Sequence, residues 1–315
     1  LDRRPTVSLG ILRLMRRWVF ALIALSVFAI PALADAAQPD AEAMVFSIVR
    51  NAAPACEPNC PEWIFAEGKI VGSSPAALKR ILKQAGKRRL PILINSPGGD
   101  VDAAIAMGRM IRARGLDTAV SATRFKGCGP RDPDCKLPPR NQGVYSGNAY
   151  SGGSFCVSAC PLMLAGGIDR LASQWSYVGV HQVTTVYREA RVTYKTRYQI
   201  VNGKKKILDR TVASRGPTKT RTTTKLSKAM RKKLVGYFGE MGIRTATLDA
   251  MLSTPATEMR QLPENELLQL KLTTRSGTAD LLVASAICRQ EIPADNCRVT
   301  MFAQTIPGPV SSPKP

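Results

Sequence analysis

The stretch LPILINSPGGD at residues 90–100 constrains the fold most. Its first six residues, an apolar run closed by Asn95, have strand length and the pattern of a strand buried on both faces, and Ser96, Pro97, Gly98 and Gly99 end it. VDAAIAMGRMIRARG follows with helical apolar spacing and is closed by Gly115. Upstream, 63–71 reads as a strand. Ser73, Ser74 and Pro75 then start a helix with a hydroxyl cap and a proline in the first turn, and Gly86 stops it. Residues 117–122 read as the next strand. Strand, helix, strand, turn, helix, strand is the signature of an α/β domain.

Farther along, 124–155 is rich in Gly, Pro and Cys and reads as a loop region. Residues 156–167 (CVSACPLMLAGG) read as a strand end, a tight turn and an apolar helix, and 170–181 as a returning strand. Residues 192–201 alternate, Asn202 and Gly203 suit a type I′ turn, and 204–212 form the partner strand of a hairpin, followed by a Thr/Lys-rich link. Helices are expected at 226–241, 245–252 and 263–271. The last ten residues are rich in Pro and Ser and are expected to be disordered.

The 315 residues are 44% hydrophobic and 22% charged, a globular composition that excludes wholesale disorder. The single histidine excludes a Cys₂His₂ zinc site and routes every histidine-dependent mechanism through His181. The formal net charge of +22 is concentrated in one place: residues 188–233 carry sixteen Lys and Arg against Glu189 and Asp209. That block is either solvated charge on an exposed hairpin or a surface for a polyanion.

Residues 13–34 read as a secretory signal: Arg13, Arg16 and Arg17, an apolar run from Trp18, then Ala32-Leu33-Ala34 after Pro31. Cleavage after Ala34 would leave 281 residues (315 − 34) starting at Asp35. The alternative is an N-terminal membrane anchor, although 18–34 as a helix spans only about 26 Å. A periplasmic or secreted location turns the eight cysteines into disulfide candidates. They lie in four close pairs: Cys56 with Cys60, Cys128 with Cys135, Cys156 with Cys160, and Cys288 with Cys297. The spacings are too irregular for zinc.

Three elements carry chemistry. Gly98 and Gly99, between a buried strand and a helix, can aim backbone N–H groups into a cleft where the helix adds its positive end. Ser158 sits at a strand-to-helix turn with the Ala159 N–H beside it. His181 ends an apolar strand, and neighbouring strand ends bring a base to its nucleophile. Each has a plainer structural role: a turn, an N-cap, a core histidine. Their order is more informative than any one of them.

ILINSPGGDV (92–101), SACPLMLAGG (158–167) and VGVHQV (178–183) together resemble the ClpP/crotonase superfamily, and in particular exported ClpP-like proteins. The resemblance covers about 63–274. It implies an α/β fold built as a spiral of β-β-α units, here carrying a basic β-hairpin insertion at 187–225 and the Cys/Gly/Pro loop 124–155. The domain would span 63–288, after a lead-in at 35–62 and before a tail at 289–315. It implies Ser158 as nucleophile, His181 as general base, and Gly98 or Gly99 with Ala159 as the oxyanion hole. The family's acid position falls near Met259, where Glu258 is the nearest carboxylate and Asp249 the second choice. Signal peptide peptidases of the same superfamily use a serine-lysine pair, which makes Ser151 and Ser154 the runner-up nucleophiles.

The expected function is an exported serine hydrolase, an ATP-independent peptidase acting on peptide or protein. The alternative is a catalytically silent module that engages anionic lipid or cell-wall polymer through the basic insertion. No cofactor, metal or nucleic acid is expected. A homo-oligomer is open, but the insertion falls where ClpP makes its ring contacts, so a barrel of that kind is not expected.

Overall fold

A computed structural model of the chain describes residues 43–53, 56, 60–137 and 143–286. The signal segment and the 289–315 tail lie outside the described residues.

The central element is an eight-stranded sheet. Strands β1 (Val45–Asn51), β2 (Glu62–Glu67), β3 (Ile92–Asn95), β4 (Thr118–Val120), β5 (Ala122–Phe125), β6 (Val144–Tyr150), β8 (Arg170–Ala172) and β13 (Arg275–Ser276) lie in the order β13-β8-β4-β3-β2-β1-β6-β5. The run from β2 through β3, β4 and β8 to β13 is parallel, whereas β1 is antiparallel to β2 and parallel to β6. The parallel neighbours β2, β3 and β4 are joined through helices α1 (Ser74–Ala85) and α2 (Val101–Ala113), because parallel pairing requires a crossover.

Both faces of the sheet's centre are covered, which is why β3 there is apolar on both sides, with Ile92, Leu93 and Ile94 all buried. The alternation is visible in β2. Ile64 and Ala66 face the larger core with Leu78, Leu82 and Met107, while Trp63 and Phe65 face a second core closed by Leu282 and Val283 of α7 (Asp280–Ala286). Buried Trp63 donates its indole N–H to Thr123 Oγ1 at 3.0 Å, so its one polar atom is satisfied.

A second, three-stranded sheet sits at the C-terminal end of β3. It consists of β7 (Phe155–Val157), β9 (Tyr177–Val180) and β12 (Arg260–Gln261) in the order β12-β9-β7. Helices α3 (Cys160–Leu164), α4 (Lys228–Met241), α5 (Ala246–Ser253) and α6 (Glu264–Gln269) complete the body. Buried Arg170 donates to the carbonyls of Gly167, Lys271 and Leu272, tying β8 to the chain that leads into β13. Burial brings its pKa down to about 10.

Several sequence expectations need correction. The supposed lead-in contains β1, a strand in the interior of the large sheet, and the supposed loop 124–155 contains β6. The strand expected over 170–181 is two strands, β8 and β9, separated by a turn in which Ser176 Oγ accepts from Ser173 N–H and donates to Ser173 O. The Thr/Lys link is itself strand. The hairpin is β10 (Thr185–Val201) with β11 (Lys204–Thr223), which among the described residues pair only with each other. Ser73 does not cap α1 through its side chain; the Ser74 hydroxyl instead accepts the Val71 N–H at 2.9 Å.

Of the four expected cysteine pairs, three are joined: Cys56–Cys60, Cys128–Cys135 and Cys156–Cys160. Cys288 and Cys297 both lie outside the described residues, Cys288 just beyond α7 and Cys297 within the 289–315 tail.

Candidate active site

The site forms where β3, β7 and β9 end. The end of β3 is fastened to β7 by an exchange of backbone bonds: Ser96 N–H donates to Phe155 O at 2.8 Å and Val157 N–H to Ser96 O at 3.1 Å. Asn95 adds a side-chain bond, its Oδ1 accepting the Phe155 N–H at 3.0 Å. In turn β7 lies parallel to β9, with Val157 beside Gly179. One residue past β7 is Ser158 and one residue past β9 is His181, so the two neighbouring strands end side by side at these residues. Ser158 Oγ lies 2.7 Å from His181 Nε2.

Ser158 has φ +62°, the left-handed region that a residue with a Cβ enters at a cost of about 1–2 kcal/mol. A strand-to-helix turn strained in this way projects the hydroxyl out of the backbone. Three features hold it. The Ser158 N–H donates to Gly179 O at 3.0 Å. The Cys156–Cys160 disulfide spans the turn symmetrically, and both cysteines are fully buried. Gly98 presses against it from the other side: a Cβ on Gly98 would lie 2.4 Å from Val157 O and 2.7 Å from both Ser158 Cβ and Ala159 N.

The two glycines have different jobs. The Gly98 N–H is engaged by Ser96 Oγ at 3.1 Å, and that hydroxyl donates to Gly68 O at 2.7 Å. Gly98 therefore supplies room, whereas the N–H groups of Gly99 and Ala159 have no acceptor among the described residues. At the N-terminus of α2, Asp100 Oδ1 caps the helix by accepting the Ala103 N–H at 2.7 Å.

When the Ser158 hydroxyl donates to Nε2, the ring proton is on Nδ1, which is buried and has no hydrogen-bond partner among the described residues. Glu258, the carboxylate expected there, is exposed and makes no bond to it, and Asp249 is exposed on α5. The antiparallel register of Arg260 with Val180 and Gln261 with Gly179 brings Met259 opposite His181 at the next position. Its side chain lies against Gly179, where a Cβ would sit 2.8 Å from Met259 Cγ.

Ser151 and Ser154 lie elsewhere and are buried: Ser154 Oγ donates to Ser151 O at 2.7 Å, and Ser151 Oγ accepts the Ala279 N–H at 3.3 Å. The supporting residues Asn95, Ser96 and Gly179 do not stand out in the sequence. A polar Asn ending an apolar run and a Gly inside a strand pattern are the available signals. Among the described residues there is no cluster of ligating side chains able to hold a metal.

No protein-family model and no curated protein sequence matches the chain. Among solved structures it is similar to a membrane-bound stomatin-specific protease, seen as a mutant in complex with a substrate peptide. That pair is 13% identical, covering 70% of this chain and 75% of the other at a TM-score of 0.39. It is also similar to ClpP1 from Listeria monocytogenes at 11% identity, covering 76% of this chain and 92% of the other, with a TM-score of 0.36.

Proposed function

We propose that the protein is a serine hydrolase of the ClpP-like kind, an ATP-independent peptidase that works through an acyl-enzyme on Ser158. The observation that carries this reading is the 2.7 Å contact of Ser158 Oγ with His181 Nε2, made on a left-handed turn beside two unengaged N–H groups. His181 Nε2 takes the Ser158 proton as Oγ attacks the peptide carbonyl, and the carbonyl oxygen gathers negative charge. The Gly99 and Ala159 N–H groups are the donors for that oxyanion; losing one such donor typically costs about 3–4 kcal/mol of transition-state stabilisation. The imidazolium returns its proton to the leaving amine, and water then deacylates Ser158 by the same route. The three disulfides support placing this chemistry outside the reducing cytoplasm, in the periplasm or beyond.

A fluorophosphonate probe tests the assignment. Wild-type protein and Ser154→Ala are expected to be labelled, and Ser158→Ala and His181→Ala are not, all four showing cooperative melts. A folded wild type that takes no label, or label retained by Ser158→Ala, overturns the reading. Hydrolysis of a fluorogenic peptide mixture without ATP separates a peptidase from another acyl hydrolase.

A further inference from the structure

The β10–β11 pair takes no part in the site. It is a two-stranded sheet of its own, about 55 Å long at 3.3 Å per residue, and nearly all its residues are exposed. A ribbon with no third strand and no helix on it is marginal in water, so its exposed apolar surface calls for a cover.

The register sorts its side chains by face. Tyr194 pairs with Val212, Tyr198 with Ile207 and Ile200 with Lys205, so one face is aromatic and aliphatic. Cations lie over the rings of that face: the Arg210 guanidinium is 4.0 Å from the Tyr194 centroid and Lys205 Nζ 4.8 Å from that of Tyr198. The other face pairs Lys195 with Thr211, Arg197 with Asp209 and Gln199 with Lys206. At the tip, Ile200 is 65% exposed, Ile207 61% and Leu208 60%, and the turn between the strands runs straight into Lys204, Lys205 and Lys206. Over 185–223 there are eleven Lys and Arg against Glu189 and Asp209.

Three occupants compete for this surface. A second copy would bring the same excess of nine positive charges (11 − 2) against the first. A soluble polyanion would match the charges but leave the aliphatic tip in water. An anionic bilayer answers both demands, since its surface attracts the lysines while its acyl boundary takes the isoleucines and leucine. We propose that the tip of the β10–β11 ribbon docks on an anionic lipid bilayer. This holds independently of the hydrolase assignment.

The test uses the chain from Asp35 onward, which contains the whole compact unit beginning at residue 42 and both of its cores. Co-sedimentation is measured with phosphatidylcholine vesicles, with and without about a third phosphatidylglycerol, at near-physiological salt. Binding is expected to the anionic vesicles only. Changing Lys204, Lys205 and Lys206 together to Gln should weaken it about a hundredfold. Ile200→Ser with Ile207→Ser should weaken it at least tenfold. Thr185 pairs with Thr223, so replacing 187–221 by a short glycine-rich turn leaves the body intact and should abolish binding. Equal binding to both vesicle types, or to neither, overturns the proposal. So does an isoleucine variant that binds like wild type while soluble polyphosphate competes fully, which would make the ligand a polymer. Thermal melts of each variant exclude unfolding as the cause.

Discussion

The unpaired Nδ1 of His181 is where one substitution should improve the site. If Nδ1 has no acceptor, the imidazole gains nothing by keeping its proton there, and the opposite tautomer turns Nε2 from a base into a donor toward Ser158. Met259 stands opposite His181 in the antiparallel register, where facing residues share a side of the sheet about 4.5–5.5 Å apart. Met259→Asp is expected to bring a carboxylate within reach of Nδ1. A buried polar group without a partner costs about 1–3 kcal/mol, and 1.36 kcal/mol is a factor of ten in rate. The substitution should therefore speed reaction at Ser158 by about ten- to a hundredfold, below the ~10⁴ that separates a correct from an incorrect tautomer in a complete triad. The assay is the pseudo-first-order rate of fluorophosphonate labelling, with Met259→Leu as a control expected to match wild type. A Met259→Asp rate within twofold of wild type, at an unchanged melting temperature, refutes the idea that histidine orientation limits this site.

Gly98→Ala puts a Cβ into the Ser158 turn at φ +85° and should both destabilise the protein by about 3 kcal/mol and abolish labelling. Gly153→Ala, at φ +70° with nothing within 4 Å of the new Cβ, should cost only about 1–2 kcal/mol and leave labelling intact; equal loss of labelling in both would sink the packing argument. Cys156→Ala with Cys160→Ala should remove about 2 kcal/mol, lower the melting temperature by roughly 4–8 °C and slow labelling. Cys56→Ala with Cys60→Ala should lower the melting temperature without slowing it. If both pairs leave the labelling rate unchanged, the bridge around Ser158 does not hold the nucleophile.

What can be read ahead of the structure is local. The strand, glycine turn and helix at 90–115 carry their own punctuation, and so does α1 with Pro75 and Gly86. In contrast, β1 contains Ser47 and Arg50, which make it look like a polar lead-in; its burial comes from β2 and β6, far away in sequence. Gly216 and Pro217 make the hairpin look shorter than it is, because such residues break a regular ladder. Both lie unpaired in a bulge between the Ala190–Thr218 and Val192–Arg215 pairs, which lets the ribbon continue to Thr223. The serine and histidine are legible because each directly follows a strand of one parallel pair. The split between Gly98 and Gly99 is not, because it depends on where the Ser96 hydroxyl points.

The site is held unevenly, and that unevenness says which step is weak. The nucleophile side is over-determined: a hydrogen bond from the Ser158 N–H, a disulfide across the turn and a glycine packed against it all fix the same left-handed residue. The strain stored there persists only because the surroundings enforce it. Among the described residues the base side has only the Ser158 contact, and the residue facing His181 in the antiparallel register is Met259 rather than a carboxylate. Oxyanion donors and a positioned serine retain considerable acceleration even when a triad member is missing. On the proposed reading, a site built this way is expected to react slowly but selectively at Ser158. A stoichiometric probe of Ser158 therefore reports on the machinery more faithfully than turnover does.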